Sequence, residues 1–175
     1  GKTITSIGIA GALYLTGNIR RVLVVAPLSI LGVWEDEFRK FADFRYTLAV
    51  FSGSSTKKAD TLRHLSGTLL QVAVVNYESA WRLEKEVLAW QPDLVIADEG
   101  HKIKTLNNPA SKPLHRIGTR ASSTLLLTGT SFTTQAIPLF SQYKLLNPGV
   151  FGPSLHARPH LSFVMLGSGH PAHVS

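Results

Sequence analysis

A four-residue apolar run that ends in two carboxylates constrains the fold of this chain most strongly. Leu94 to Ala97 has the continuous apolar character of a strand buried in a parallel sheet, and Asp98 and Glu99 follow it directly. Adjacent carboxylates at the end of such a strand are costly unless a cation or a proton transfer uses them. The run therefore predicts an α/β fold with a candidate magnesium and water-activating site at one edge of its sheet.

Strand-like and helix-like segments alternate along most of the chain. The patterns predict strands at 22–26, 46–51, 69–75, 94–97 and 124–127, and helices at 3–16, 28–42, 57–66, 78–90, 110–117 and 136–146. Such alternation implies βαβ crossovers and a mainly parallel sheet. Within 28–42, Trp34, Phe38 and Phe41 recur at helical spacing, so we expect them to lie in the core.

The chain opens on Gly1-Lys2-Thr3, which matches the last three residues of the phosphate-loop signature. In such a loop, backbone N–H groups and the helix dipole bind the polyphosphate of ATP. Lys2 would neutralise the β- and γ-phosphates, and the Thr3 hydroxyl would be a ligand of magnesium. By itself the tripeptide is also compatible with an ordinary helix start.

Asp98-Glu99-Gly100-His101, a DEAH-box-like motif, supplies the other half of this candidate site. Asp98 would hold magnesium, usually through water, and Glu99 would orient or deprotonate the attacking water. His101 could couple the site to a neighbouring element by hydrogen bonding. Thr128-Gly129-Thr130 ends the next predicted strand and could transmit a change at the γ-phosphate. The alternative interpretations are a plain charged turn and a plain strand cap.

Positive charge is unevenly distributed along the chain. Net charge is +7, all eleven acidic residues lie at or before Glu99, and seven Lys and Arg residues follow it. A basic segment of this kind is typical of proteins that bind a polyanion such as nucleic acid, although a solvated basic surface is an equal alternative. Lys102 and Lys104, directly after the DEGH motif, are candidates for phosphate contacts.

Composition excludes several classes of protein. Cysteine is absent, which excludes a disulfide framework and cysteine-based zinc sites and suits a reducing cytoplasm. The longest apolar run, 22–34, is interrupted by polar and turn residues and falls short of the roughly 20 residues that span a bilayer. We therefore expect no membrane partner and a cytoplasmic location, associated with the nucleoid if the source is bacterial.

The order and spacing of these segments resemble a known family. The segments are GKT at 1–3, VVAPLSILGVWEDEF at 24–38, VVNYES at 74–79, DEGHKIK at 98–104, LTGT at 127–130 and FSQYKLLNPGVFG at 140–152. Together they resemble the first RecA-like lobe of the Swi/Snf-type (sucrose-non-fermenting) ATPases of helicase superfamily two. The resemblance covers residues 1–152 and leaves 153–175 as a tail without a clear helical or strand pattern.

The resemblance implies a three-layer RecA-like phosphate-loop NTPase lobe that uses ATP and magnesium to translocate on double-stranded DNA. By position, Gly1, Lys2 and Thr3 match motif I, Asp98, Glu99 and His101 match motif II, and Thr128, Gly129 and Thr130 match motif III. Pro27, Leu28 and Ser29 match motif Ia, and Asn76 and Tyr77 lie at motif Ib; in the family both groups lie along the DNA path.

The chain also departs from the family pattern. The glycine-rich part of motif I and the strand before it would precede residue 1, so the resemblance implies a lobe truncated at its start. No segment resembles the second RecA-like lobe, and we expect the chain alone to have negligible DNA-stimulated ATPase activity. The alternatives are an RNA helicase or restriction-motor lobe of the same superfamily, and a non-catalytic truncated gene product.

Overall fold

A computed structural model of the chain describes residues 1–99 and 111–127, together with the backbone of 165–166. The helices are α1 (Lys2–Leu15), α2 (Leu31–Phe41), α3 (Ser55–His64), α4 (Tyr77–Arg82), α5 (Glu84–Trp90) and α6 (Ser111–Arg120), and a 3-10 turn at Leu28–Ile30 precedes α2. The strands are β1 (Arg21–Ala26), β2 (Tyr46–Val50), β3 (Leu70–Asn76), β4 (Leu94–Asp98), β5 (Ser123–Leu127) and β6 (Met165–Leu166).

The strands form one sheet in the order β2-β3-β1-β4-β5-β6, and every pairing is parallel. Strands β1, β3 and β4 lie inside it, and they are buried almost throughout. A strand covered on both faces has no solvent side, which is why these segments are continuous apolar runs in the sequence. The predicted parallel α/β sheet is confirmed.

Helices cover both faces of the sheet, so the fold has three layers. Alternate β1 residues point to opposite faces: Leu23 and Val25 lie in a core cluster with residues of α3, α4, α5 and α6. Val22 and Val24 lie in a second cluster with residues of α1 and α2. The three-layer architecture implied by the resemblance is present in the structure.

Helix α1 packs closely against the segment that leads into β2. Gly11 is buried, and a Cβ at this position would lie 2.4 Å from Cε1 of Phe44. The approach of the ring to the helix therefore requires glycine. The Phe44 ring also lies 6.3 Å from that of Tyr14, which fixes the orientation of α1 over the sheet.

Two sequence expectations about helices need correction. The predicted helix 78–90 is two helices, because Leu83 leaves helical geometry with φ −99° and ψ 23°. Phe41 was expected in the core, but it lies at the last position of α2 and is 43% exposed, while Trp34 and Phe38 are buried as predicted. The predicted helix 136–146 lies outside the described residues.

The amino edge of the sheet is held by structural hydrogen bonds. The Asp93 carboxylate accepts bonds from the backbone N–H groups of Arg20 and Arg21, at 2.8 and 3.0 Å. The Arg21 guanidinium donates to the backbone oxygen of Trp90 at 2.7 Å. These contacts join the amino end of β1 to the segment that precedes β4. The candidate site lies at the opposite, carboxyl edge of the sheet.

Candidate functional site

Strand register aligns the ends of four strands along one edge. Ala26 of β1 pairs with Asn76 of β3, Val25 pairs with Ala97 of β4, and Asp98 pairs with Leu127 of β5. Parallel strands bring their carboxyl ends to the same side, so the segments that follow them are neighbours. The edge thus collects the predicted motifs Ia and Ib together with Asp98 and Glu99 of motif II.

Helix α1 begins at the predicted phosphate-binding tripeptide. Gly1 is its N-cap residue, and no side chain caps the first turn. Two polar side chains of this helix bond back to its own first carbonyls: Thr5 Oγ1 donates to Gly1 O at 3.0 Å, and Ser6 Oγ donates to Lys2 O at 2.9 Å. Because both hydroxyls bond to carbonyl oxygens and no side chain caps this helix, the N–H groups of its first turn are available to an anion.

Asp98 is the buried carboxylate of the site, with 7% of its surface exposed. Its Oδ2 accepts a hydrogen bond from Nε1 of Trp34 on α2 at 3.0 Å. Burial raises the pKa of Asp98, while the Trp34 bond, a backbone bond from Glu99 and the charge of Lys2 lower it; burial prevails. Burial makes the ionised form of this carboxylate unfavourable, and a cation bound beside it would stabilise that form.

The charge of Lys2 lowers the pKa of Asp98, so the two residues lie within electrostatic range of each other. Glu99 lies next to Asp98, is half-buried, and has φ 52° in the left-handed region. Such a backbone costs a residue other than glycine about 1 kcal/mol or more and is common at functional sites. Asp98 and Glu99 thus lie at the carboxyl edge with Lys2 in electrostatic range of Asp98, and the catalytic roles of the three residues stay predictions.

Tyr77 reaches the same point from the other side of the sheet. Its hydroxyl donates to the backbone oxygen of Asp98 at 2.6 Å. Burial raises the pKa of Tyr77, and the negative charges of Asp98 and Glu99 raise it further, so the hydroxyl stays protonated as a donor. Asn76 caps α4, because its Oδ1 accepts the backbone N–H of Ser79 at 3.0 Å.

These contacts give the two motif Ib residues structural partners inside the protein, and their place on a DNA path stays a prediction. Pro27, Leu28 and Ser29 lie on the turn after β1, where Leu28 is 71% exposed and Ser29 is also exposed. That turn is accessible to a ligand, as the motif Ia interpretation requires. His101, Lys102, Lys104, Thr128, Gly129 and Thr130 lie outside the described residues, and their roles stay predictions.

Trp34 is the site residue that the sequence interpretation missed. Its helical spacing correctly predicted burial, but periodicity carries no information about where the indole N–H points. The available signal was chemical, because a buried indole needs an acceptor. Only the strand order, which puts β1 beside β4, identifies that acceptor as Asp98.

The donor set fits magnesium held together with a nucleotide. Across 1–99 and 111–127, no three His, Cys, Asp or Glu side chains are grouped closely enough to hold a metal by themselves. Magnesium does not need such a group, since it is bound by one or two carboxylates plus substrate phosphates and waters. Asp98 supplies a buried carboxylate, and Thr3 supplies a half-buried hydroxyl at the start of α1.

None of the helices in the described part of the chain has the length and apolar character needed to cross a membrane.

Comparison with known proteins agrees with this geometry. The family model of the SNF2-related domain matches residues 1–157. The chain belongs to the SNF2-related domain family. This membership accounts for the convergence of residues 1–3 and 98–99 at one edge of a parallel sheet, and it confirms the family resemblance seen in the sequence.

Two curated proteins are similar in sequence over most of the chain. The chain is 30% identical to the DNA repair and recombination protein RAD54 of Oryza sativa subsp. japonica over 169 residues, 90% of the chain and 17% of that protein. It is 29% identical to Switch 2 of Arabidopsis thaliana over 172 residues, 90% of the chain and 19% of that protein.

A solved structure described as the Sulfolobus solfataricus SWI2/SNF2 ATPase core in complex with dsDNA is similar with a TM-score of 0.69 and 26% identity. The match covers 87% of this chain and 30% of that one. The chain therefore spans under a fifth of these two curated relatives and about a third of the solved core.

Proposed function

We propose that this chain is the ATP-binding lobe of an ATP-dependent motor that acts on double-stranded DNA. The observation that carries the proposal is that Lys2, at the start of α1, lies within electrostatic range of Asp98, at the end of β4. Membership of the SNF2-related domain family and likeness to an ATPase core solved with duplex DNA support it. That likeness favours duplex DNA over RNA as the nucleic acid, and an RNA helicase or restriction-motor lobe remains the alternative.

Each residue of the site has a task under this proposal. The N–H groups at the start of α1 and the Lys2 ammonium bind the phosphates, and Thr3 and Asp98 hold magnesium. Bound magnesium neutralises charge that develops on the phosphates. Glu99 orients the attacking water and accepts its proton. The exposed turn at Pro27, Leu28 and Ser29 contacts the DNA backbone.

Turnover by the 175-residue chain is expected to be very low. Enzymes of this superfamily complete their site with arginines from a second lobe, and an arginine finger of this kind is worth about 10³–10⁵ in rate. We therefore test nucleotide binding first and ATP hydrolysis second. Robust DNA-stimulated turnover that is lost with Lys2→Ala would contradict this part of the proposal.

Calorimetric titration with ATP and magnesium tests the binding step. Lys2→Ala removes a charge-assisted contact to phosphate and should weaken binding about 10- to 100-fold. Lys85→Ala is the matched control, because Lys85 is an exposed lysine on α5. Equal affinity of the Lys2 and Lys85 variants, or no binding by the unsubstituted chain, would reject the proposed ATP site. DNA binding without nucleotide binding would favour the non-catalytic alternative.

A further inference from the structure

Trp34 connects α2 to Asp98, the carboxylate proposed to bind magnesium. The indole is fully buried on α2, and its Nε1–H donates to Oδ2 of Asp98 at 3.0 Å. The other fully buried aromatic side chain of this helix, Phe38, offers no polar group to the site. Trp34 thus links α2 to the site by a hydrogen bond from its side chain.

A buried indole needs some acceptor, and the chain shows what an ordinary acceptor is. Trp90 is also buried, and its Nε1–H donates to the backbone oxygen of Leu65 at 3.0 Å. Trp34 bonds instead to a carboxylate with a raised pKa at the edge where ligands are expected. The two tryptophans therefore make bonds of equal length to acceptors of different kinds.

Packing fixes the orientation of the Trp34 indole. Its ring lies 6.4 Å from that of Phe38, which lies 5.3 Å from that of Tyr46. The row of rings continues with Phe44, whose ring lies 6.2 Å from that of Tyr46. It ends at Tyr14 on α1, whose ring lies 6.3 Å from that of Phe44. A ring packed at one end of such a row has little rotational freedom, and its N–H direction is set by the core.

We propose that Trp34 is a positioning residue that holds one carboxylate oxygen of Asp98 and thereby fixes the orientation in which that carboxylate meets magnesium. The proposal rests on the proposed function, since it takes Asp98 to be a magnesium-binding residue. Hydrogen bonds from outside the metal's own ligands orient those ligands, and loss of such a partner typically weakens metal binding about 10- to 100-fold.

The test measures magnesium affinity rather than turnover. Magnesium is titrated calorimetrically into the 175-residue chain saturated with a non-hydrolysable ATP analogue. Trp34→Phe should raise the half-saturating magnesium concentration about tenfold or more. Trp90→Phe, which also removes a buried indole N–H, should leave it within about twofold of the original chain. Thermal unfolding of both variants shows whether their losses in stability are comparable.

A second variant separates the hydrogen bond from the volume of the ring. Replacing the Trp34 indole with benzothiophene, in which sulfur takes the place of the N–H group, keeps the size of the ring. This variant should lose magnesium affinity as Trp34→Phe does. Should Trp34→Phe fail to fold, the benzothiophene variant decides the matter. Unchanged magnesium affinity in it would overturn the proposal and leave Trp34 as a core residue with a satisfied N–H.

NMR of the three tryptophan indole N–H groups provides a readout that needs no nucleotide. Asp98→Asn replaces a charged acceptor by a neutral one, so the Trp34 indole proton should move upfield while that of Trp90 stays in place. No movement would overturn the proposal. If the unsubstituted chain binds no nucleotide or magnesium, the proposed function fails and positioning for magnesium fails with it. If it binds both and the Trp34 variants bind magnesium equally well, this inference alone fails.

Discussion

At the scale of a single residue, Asp98 is unfavourable for stability in its ionised form but has the chemistry that a magnesium site needs. Its carboxylate is buried, and the bond from Trp34, the backbone bond from Glu99 and the charge of Lys2 do not compensate fully for lost hydration. The folded state therefore binds a proton on Asp98 more readily than the unfolded state does. Carboxylates with pKa values raised by burial cluster at functional sites, which supports the interpretation of Asp98 as a ligand position.

Asp98→Asn should stabilise the chain at neutral pH in the absence of magnesium and nucleotide. The substitution removes a charge that burial disfavours and keeps an oxygen that can accept the Trp34 bond. A gain of about 1 kcal/mol would raise Tm by roughly 2–4 °C in a chain of this size.

The effect of Asp98 on the free energy of unfolding depends on pH. Because folding raises the pKa of Asp98, the ionised carboxylate destabilises the folded state fully at pH values above that raised pKa. This destabilisation disappears as pH falls below 3.8, the pKa of the group in the unfolded chain. Melting curves at pH 7 and in acid should therefore show an advantage of Asp98→Asn that fades in acid. A variant less stable than the original chain at pH 7 would contradict this account.

At the scale of elements, a polar side chain caps the helix that follows β2 and the helix that follows β3. Asn76 ends β3 and caps α4, and Ser54 caps α3 by accepting the backbone N–H of Lys57 at 3.3 Å. No glycine or proline marks the break between α4 and α5 at Leu83, so periodicity predicted one helix. The break places Tyr77 and Trp90 on separate helices, and their side chains bond to Asp98 O and Leu65 O respectively.

Asn76→Ala should lower the free energy of unfolding by about 1 kcal/mol, because the first turn of α4 loses its cap. Asn76→Ser keeps a capping oxygen and should cost less than half as much. Urea unfolding measures both: we expect a lower midpoint with an unchanged slope. Equal losses in the two variants would show that the cap contributes nothing and that Asn76 matters for another reason.

At the scale of the whole molecule, the placement of charge separates two regions. Net charge is +7, and the whole excess follows Glu99. Within 111–127, Lys112, Arg116 and Arg120 are basic and no residue is acidic. Arg116 is already engaged, since its guanidinium forms a bidentate pair with Glu84 of α5, and this pair lowers the pKa of Glu84. Arg116 is therefore a structural link between α5 and α6.

Duplex DNA binding by the chain should weaken steeply with salt. Each phosphate neutralised contributes about −0.9 to the slope of log K against log salt, so three to six contacts give a slope of roughly −3 to −5. Fluorescence anisotropy with a labelled duplex, measured from low to physiological salt, provides the slope. A slope near zero would remove the electrostatic basis of the DNA proposal.

Most of the architecture was predictable from residues, because buried parallel strands need continuous apolar runs and covering helices need one apolar face. The candidate site was predictable in part. Lys2, Thr3, Asp98 and Glu99 were proposed from residue chemistry at strand and helix ends, and the structure puts Lys2 within electrostatic range of Asp98. Phe41 was misplaced because its position at the end of α2 takes it beyond the core.

The sequence by itself determined the parallel α/β class, the two halves of the candidate ATP site and the asymmetry of charge. The tertiary structure alone decided which groups meet Asp98. Trp34 lies 64 residues from it and Tyr77 lies 21 residues from it. Contacts of this kind depend on strand order, helix placement and the direction of a single N–H or O–H group. Local periodicity indicates which face of a helix or strand is buried, but it does not indicate where an N–H or O–H group on that face points.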